Sequence, residues 1–71
     1  MYKYVVIVEK TENNYSAYSP DLSGCIATGK TVEETIKKMK EAIEFHIEGL
    51  KIEGLNIPEP SSTVATVEVM A

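Results

Sequence analysis

The sequence predicts an α+β domain with the element order βββαβ, in which one helix packs on one face of a small sheet. Three segments rich in β-branched and aromatic residues come first, a long amphipathic segment follows, and a β-branched segment comes last. With 71 residues, the chain has material for one thin core. We therefore expect a single domain over residues 1–71.

The first half of the chain predicts three antiparallel strands. Residues 2–9 are rich in tyrosine, valine and isoleucine, residues 15–19 alternate between two faces, and residues 25–28 form a third short apolar segment. A polar loop with two asparagines joins the first two strands. Residues 20–24 contain a proline, which cannot donate to a strand ladder, and we expect them to form the next turn.

A helix is predicted over about residues 32–53. The sequence Thr-Val-Glu-Glu starting at Thr31 is a capping box, in which the threonine hydroxyl accepts from the Glu34 amide and the Glu34 carboxylate reaches back. Apolar residues then recur every three or four positions. Gly29 closes the third strand before this helix, and Gly54 occupies the position where a glycine commonly ends one.

The segment after the helix predicts the last strand. Residues 63–69 are β-branched and follow a loop with two prolines. A helix between the antiparallel strands and this segment makes a right-handed crossover, which places the fourth strand parallel to the first and beside it. The predicted sheet order is therefore 3-2-1-4.

The charge pattern argues against direct binding of nucleic acid. The chain has 11 acidic and 7 basic residues, all of the basic ones are lysine, and the net charge is −4. Arginine is the usual side chain for gripping phosphate and reading guanine. An acidic surface instead suits a basic protein partner.

No segment of the sequence indicates a membrane anchor, an export signal or a bound cofactor. The aliphatic run Val5–Val8 is far too short to span a membrane, and the first residues lack the apolar core of a secretory signal. Cys25 is the one cysteine, so it supports neither a disulfide framework nor a zinc site. We therefore expect a cytoplasmic protein without metal or cofactor.

Catalytic chemistry has two candidates, and neither has a supporting motif. Cys25 and His46 are a conceivable nucleophile and base, but no third residue is evident to orient the histidine. A lone histidine beside an apolar helix stripe is typical of a partly buried structural residue. Glu9 and Glu68 are the only acids in the predicted strands, whereas a metal-dependent nuclease needs several acids at one point. We expect a protein that is not an enzyme.

The predicted helix also has apolar residues on its outer face. Phe45 and Ile52 lie two turns apart and point away from the core stripe, with Gly49 beside them. Single exposed hydrophobic residues are ordinary on protein surfaces. A glycine beside an exposed phenylalanine also lets another chain approach closely, so the alternative is a contact in a homodimer or larger oligomer.

Four segments together resemble the HicB-like antitoxin family, over nearly the whole chain. The matching segments are Ser19-Pro20-Asp21-Leu22-Ser23-Gly24-Cys25, Thr28-Gly29-Lys30-Thr31-Val32-Glu33-Glu34, Glu41-Ala42-Ile43 and Ile57-Pro58-Glu59-Pro60. The sequence departs from the family pattern at Ser23, where the family often has proline. Many members have a second, C-terminal DNA-binding domain, and we expect this sequence to represent a short form without one.

The resemblance implies a partial ribonuclease-H-like fold, which has the same βββαβ order, and an antitoxin role. HicB-like proteins neutralise HicA toxins, which are small basic ribonucleases that cut messenger RNA. The implied partner is therefore a HicA-like toxin, held by occlusion of its RNA-binding or catalytic surface. The residues of the family-like turn and the loop after the helix are the candidate contacts: Pro20, Asp21, Leu22, Gly24 and Glu59.

Two other functions stay open at the level of sequence. One is an oligomeric HicB-like domain that has lost toxin control and serves another partner. The other is a hydrolase on the ribonuclease-H-like scaffold, although likeness of fold alone carries no catalytic weight. A toxin-like reading frame beside the gene, or a small basic protein that co-purifies, would separate these from the antitoxin.

Overall fold

Three strands form an antiparallel sheet, and one helix packs on one of its faces. The computed structural model describes residues 1–71 and contains β1 (Ile7–Lys10), β2 (Tyr15–Ser19), β3 (Leu22–Gly29) and α1 (Val32–Ile52). The sheet order is β1-β2-β3, with both pairs antiparallel. The α+β class, the three antiparallel strands and the single helix are confirmed.

The turn between β2 and β3 is tighter than predicted. Only Pro20 and Asp21 lie between the two strands, and Ser19 pairs directly with Leu22. The next pair is Tyr18 with Ile26, so residues 23–25 bulge out of the ladder. Strand β3 therefore begins at Leu22, three residues before the predicted start, because sequence patterns do not report a bulge of this kind.

The core lies between the helix and the sheet and is small. Four apolar residues are buried, namely Ala17, Leu22, Cys25 and Met39. Partly buried side chains pack around them, and three of these alternate along the first strand: Tyr4, Val6 and Val8. The first strand thus presents one face to the helix over a longer stretch than the four residues of β1 that pair with β2.

Both ends of α1 are formed by short-range hydrogen bonds. The Thr31 hydroxyl accepts from the Glu34 amide at 3.0 Å, and a Glu34 carboxylate oxygen accepts from the Lys30 amide at 3.5 Å rather than from that of Thr31. The helix ends with Gly54 at φ 71°, whose amide donates to the Lys51 carbonyl, and the next amide donates to the Leu50 carbonyl. This pair of bonds is a Schellman motif.

The predicted fourth strand does not form within this chain. No backbone–backbone hydrogen bond involves residues 56–71, and residues 63–70 have no regular secondary structure. They are exposed, and the molecule measures 48 × 26 × 18 Å with a radius of gyration of 13.8 Å. A compact chain of this length has a radius of gyration of about 11 Å. The 3-2-1 part of the predicted order is formed, and the fourth position beside β1 is not.

The helix does not combine the length and the apolar character that crossing a membrane requires. It packs mainly on β3 and β2, and much less on β1. Two open grooves flank the helix, one beside β3 and one beside residues 1–6, which lead into β1.

Candidate functional site

An open groove of about 390 Å³ runs between the edge strand β3 and the second half of α1. Two large apolar side chains stand beside it: Ile26 of β3 is 69% exposed and Phe45 of α1 is 83% exposed. Gly49 lines the groove between turns of the helix, and a Cβ built there would meet no atom within 4 Å. The space above the helix backbone is free, so a partner side chain can approach closely.

The bulge in β3 shapes the other end of this groove. Gly24 lies in the bulge with φ 86°, a left-handed conformation that costs glycine little and other residues more. Its neighbour Cys25 turns into the core, while Ile26 faces out. The family-like turn, residues 20–24, thus positions the exposed side chain of Ile26, which follows it in β3.

The structure brings together residues that the sequence analysis assigned to two separate sites. Gly24, a candidate toxin contact, lines the same groove as Phe45 and Gly49, which are candidate subunit contacts. Ile52 is 78% exposed but lies outside the groove. Phe45 therefore lines the groove beside β3, whereas Ile52 does not, although both side chains point away from the core.

Asp21 is bound to the segment that follows the helix. Its carboxylate oxygens accept hydrogen bonds from the amides of Ser61 and Ser62 at 3.0 and 3.1 Å, and from their hydroxyls at 2.9 and 3.0 Å. These bonds, led by the one from the Ser61 amide, hold the pKa of the Asp21 carboxyl below its ordinary 3.8. The two serines were not singled out from the sequence, where the only signal is a pair of adjacent hydroxyl residues after two prolines.

The other candidate toxin contacts differ in exposure. Leu22 is only 1% exposed and packs in the core, so it supports the turn from inside. Pro20 and Glu59 are exposed, and Glu59 accepts a long hydrogen bond of 3.4 Å from the Tyr2 hydroxyl. Of the five candidates, three are free to meet a partner: Pro20, Gly24 and Glu59.

Cys25 and His46 do not form an activated pair. Cys25 is 4% exposed, and burial raises the pKa of its thiol, which keeps it neutral, whereas a nucleophilic cysteine needs its pKa lowered. His46 lines the same groove but is only half-buried. No group of three or more His, Cys, Asp or Glu side chains is placed to hold a metal ion.

The structure is a small α+β domain, in which one helix packs on a three-stranded antiparallel sheet and an open groove lies beside β3. A family model described as "HicB_like antitoxin of bacterial toxin-antitoxin system" matches residues 4–70. The chain therefore belongs to the HicB-like antitoxin family, as the motifs of the sequence indicated.

Relatives of similar length come from distant organisms. A UPF0150 protein of Helicobacter pylori is 38% identical over 64 residues, which cover 89% of each chain. A UPF0150 protein of Thermoplasma acidophilum is 41% identical over 66 residues, covering 92% of this chain and 96% of the relative.

One solved structure resembles the fold closely. A chain of the structure described as "HicA3 and HicB3 toxin-antitoxin complex" matches with a TM-score of 0.71 and 35% identity. The match covers 84% of this chain and 70% of that chain.

Proposed function

We propose that this protein is an antitoxin that binds a HicA-like, mRNA-cutting toxin and covers the toxin's RNA-binding or catalytic surface. The observation that carries the proposal is the likeness of 84% of the chain, at a TM-score of 0.71, to a chain from a HicA3–HicB3 complex. The role is that of a binding protein and not of an enzyme, and its place of action is the cytoplasm, where messenger RNA is cut.

Charge supports a basic partner. A toxin that cuts RNA exposes positive charge to hold phosphates, and this chain has a net charge of −4. Exposed glutamates lie along α1 at Glu33, Glu41, Glu44 and Glu48, and another, Glu53, follows its last residue. Opposite charges on two proteins accelerate their encounter, and salt screens this effect.

The apolar groove supplies the short-range part of the interface. Phe45 is the anchor, because large aromatic side chains that become buried dominate binding energies. Three exposed residues extend the contact. Pro20 and Gly24 belong to the family-like turn, and Glu59 belongs to the loop after α1. Asp21 and Leu22 contribute indirectly by fixing the shape of the turn. Self-association through Phe45, Gly49 and Ile52 is the alternative use of this helix face.

We also propose that the tail of the chain can form the fourth strand of the sheet. A strand formed by residues 63–69 beside β1 would complete a partial ribonuclease-H-like sheet of order 3-2-1-4. The scaffold would then serve binding alone, since likeness to a nuclease fold carries no catalytic weight.

Stopped-flow mixing with the toxin encoded beside the gene tests the proposal. Association should slow as salt rises, while dissociation changes less. Phe45→Ala should weaken binding by about 30-fold, the effect of a central interface residue. Ile52→Ala is the matched control, because Ile52 is an equally exposed aliphatic residue of the same helix outside the groove, and it should change affinity by less than about threefold.

Failure to bind or inhibit that toxin would remove the antitoxin proposal. A salt-independent association rate would remove the electrostatic part. Equal losses for the Phe45 and Ile52 variants would show that the groove is not the docking surface, and loss of self-association in the Phe45 variant would assign the groove to a second copy.

A further inference from the structure

Besides the outer edge of β3, the chain exposes two strand-like edges that have no backbone partner. One is the outer edge of β1, which pairs only with β2 on its other side. The other is the tail, residues 63–70, which makes no hydrogen bond of any kind. Three of its valines are widely exposed, with Val64 at 63%, Val67 at 82% and Val69 at 74%. β-branched residues favour a paired strand. Because neither the outer edge of β1 nor the tail has a backbone partner, both are open for pairing.

An open apolar groove of about 940 Å³ lies between α1 and residues 1–6, the segment that leads into β1. Tyr4 and Val6 form one wall, and the helix contributes Ile36, Ile43 and Ile47 to the other. Ile36 is 47% exposed in the groove. A further strand paired with the outer edge of β1 would lie over this groove and bury these side chains.

The chain's own tail does not take this position. Asp21 holds Ser61 and Ser62 at the end of the sheet. The tail then passes Val5 and Ile7 across an open space of about 520 Å³, without hydrogen bonds to them. Beyond this point residues 66–71 are all exposed.

We propose that the tails of two copies are exchanged, so that the tail of each copy pairs with β1 of the other and covers its groove. This inference is independent of the proposed toxin binding, which uses the groove on the opposite edge of the sheet. It places the predicted fourth strand in the 3-2-1-4 order, but from a second chain.

A second copy fits better than another partner because each chain offers both halves of the contact. The tail is a strand without a partner, and β1 has an unpaired outer edge. In one two-fold dimer the tail of each copy therefore pairs with β1 of the other, so that all four edges gain a partner. Charge agrees: the one charged side chain of the tail is Glu68, and the groove is lined by Lys40 and Lys51 against a single acid, Glu44. The exchange buries the exposed valines against the exposed Ile36 and the half-buried Ile43 and Ile47 of α1.

The test uses the full-length chain alone, without toxin. Sedimentation at about 10–100 µM should give twice the 7.8 kDa monomer mass. Val67→Pro removes a backbone donor in the middle of the tail and should raise the dimer dissociation constant about a hundredfold, roughly tenfold for each of the two tails. Val67→Thr keeps both the donor and the β-branched shape and should change it by only a few fold.

Hydrogen exchange distinguishes the occupants of the edge. Exchange between tails predicts that the amides of residues 63–70 and the outward amides of β1 are protected together, and only in the dimer. Protection of the tail in a monomer would mean that it closes on its own sheet, and would overturn the proposal. A monomer with an unprotected tail, a dimer insensitive to Val67→Pro, or tail protection without β1 protection would overturn it as well. Protection that requires added toxin would assign the edge to the toxin instead.

Discussion

The packing of α1 against the end of β3 makes Gly29→Ala the sharpest test of the fold. Gly29 is buried, and a Cβ built on it would lie 2.7 Å from Thr35 Oγ1 and 3.0 Å from the Thr35 amide nitrogen. The Thr35 side chain cannot turn away cheaply, because it is 0% exposed and its hydroxyl donates to the Thr31 carbonyl at 2.7 Å. The added methyl group must therefore push the first turn of the helix off the sheet.

The expected loss of unfolding free energy in Gly29→Ala follows from the overpacking of this contact. Inserting a methyl group into a tight contact costs about 1–3 kcal/mol, and alanine returns about 0.4–1 kcal/mol by restricting the unfolded chain. The net loss should be about 1–2 kcal/mol. Small domains lose about 1 kcal/mol of stability per molar urea, so the unfolding midpoint should fall by roughly 1–2 M.

Gly49→Ala is the matched control, since it is the same substitution in the same chain with the opposite expectation. A Cβ at Gly49 meets nothing within 4 Å, and alanine is favoured over glycine in a helix by about 0.5–1 kcal/mol. The midpoint should therefore rise by roughly 0.5–1 M. Both variants are compared with the parent chain at one protein concentration, because self-association would shift the apparent stability. A Gly29 variant as stable as the parent would refute the described contact between β3 and α1, and equal losses in both variants would show a general intolerance of alanine.

Two further predictions concern single side chains, and a third concerns nuclease activity. Thr31→Ala should cost about 1 kcal/mol in chemical denaturation, because the Glu34 amide loses its acceptor, whereas Thr31→Ser should retain most of that stability. Because the pKa of Asp21 is lowered in the fold, its hydrogen bonds stabilise the fold above pH 3.8, and this contribution is lost as the pH falls through the lowered pKa. Asp21→Asn should therefore flatten the acid part of a profile of unfolding free energy against pH. A profile that is unchanged in the variant would contradict this prediction. The purified chain with magnesium or manganese should leave RNA, DNA and hybrids uncut, and cleavage abolished by Glu9→Gln or Glu68→Gln would overturn the non-enzymatic role.

Local signals were sufficient for the helix and the antiparallel strands. The cap at Thr31, the apolar period and the glycine at position 54 all act within a few residues, and the structure has the helix over Val32–Ile52 against a predicted 32–53. The bulge that places Leu22 in the core was not predictable in this way. It depends on which residues of two strands pair, and that register is set by packing across the whole sheet.

Long-range contacts explain the rest of the difference. The bonds from Ser61 and Ser62 to Asp21 join residues 40 and 41 positions apart, and no sequence spacing points to them. The tail shows a second limit. Its β-branched composition predicts a strand, but residues 63–70 have no regular secondary structure. A strand needs a partner edge, and composition does not say what supplies that edge.

Asp21 connects the two proposed interactions, and this connection makes them separable by experiment. The turn that contains Asp21 leads into the bulge beside Phe45, and its carboxylate fixes the point from which the tail departs. Replacing Asp21 by asparagine leaves the core residue Leu22 and the bulge in place, but it weakens the hold on Ser61 and Ser62. The origin of the tail would then be less fixed, while the Phe45 groove on the far edge of the sheet would keep its shape. Self-association should therefore weaken more than toxin binding in Asp21→Asn. The reverse order would mean that the turn itself, and not the groove, contacts the toxin.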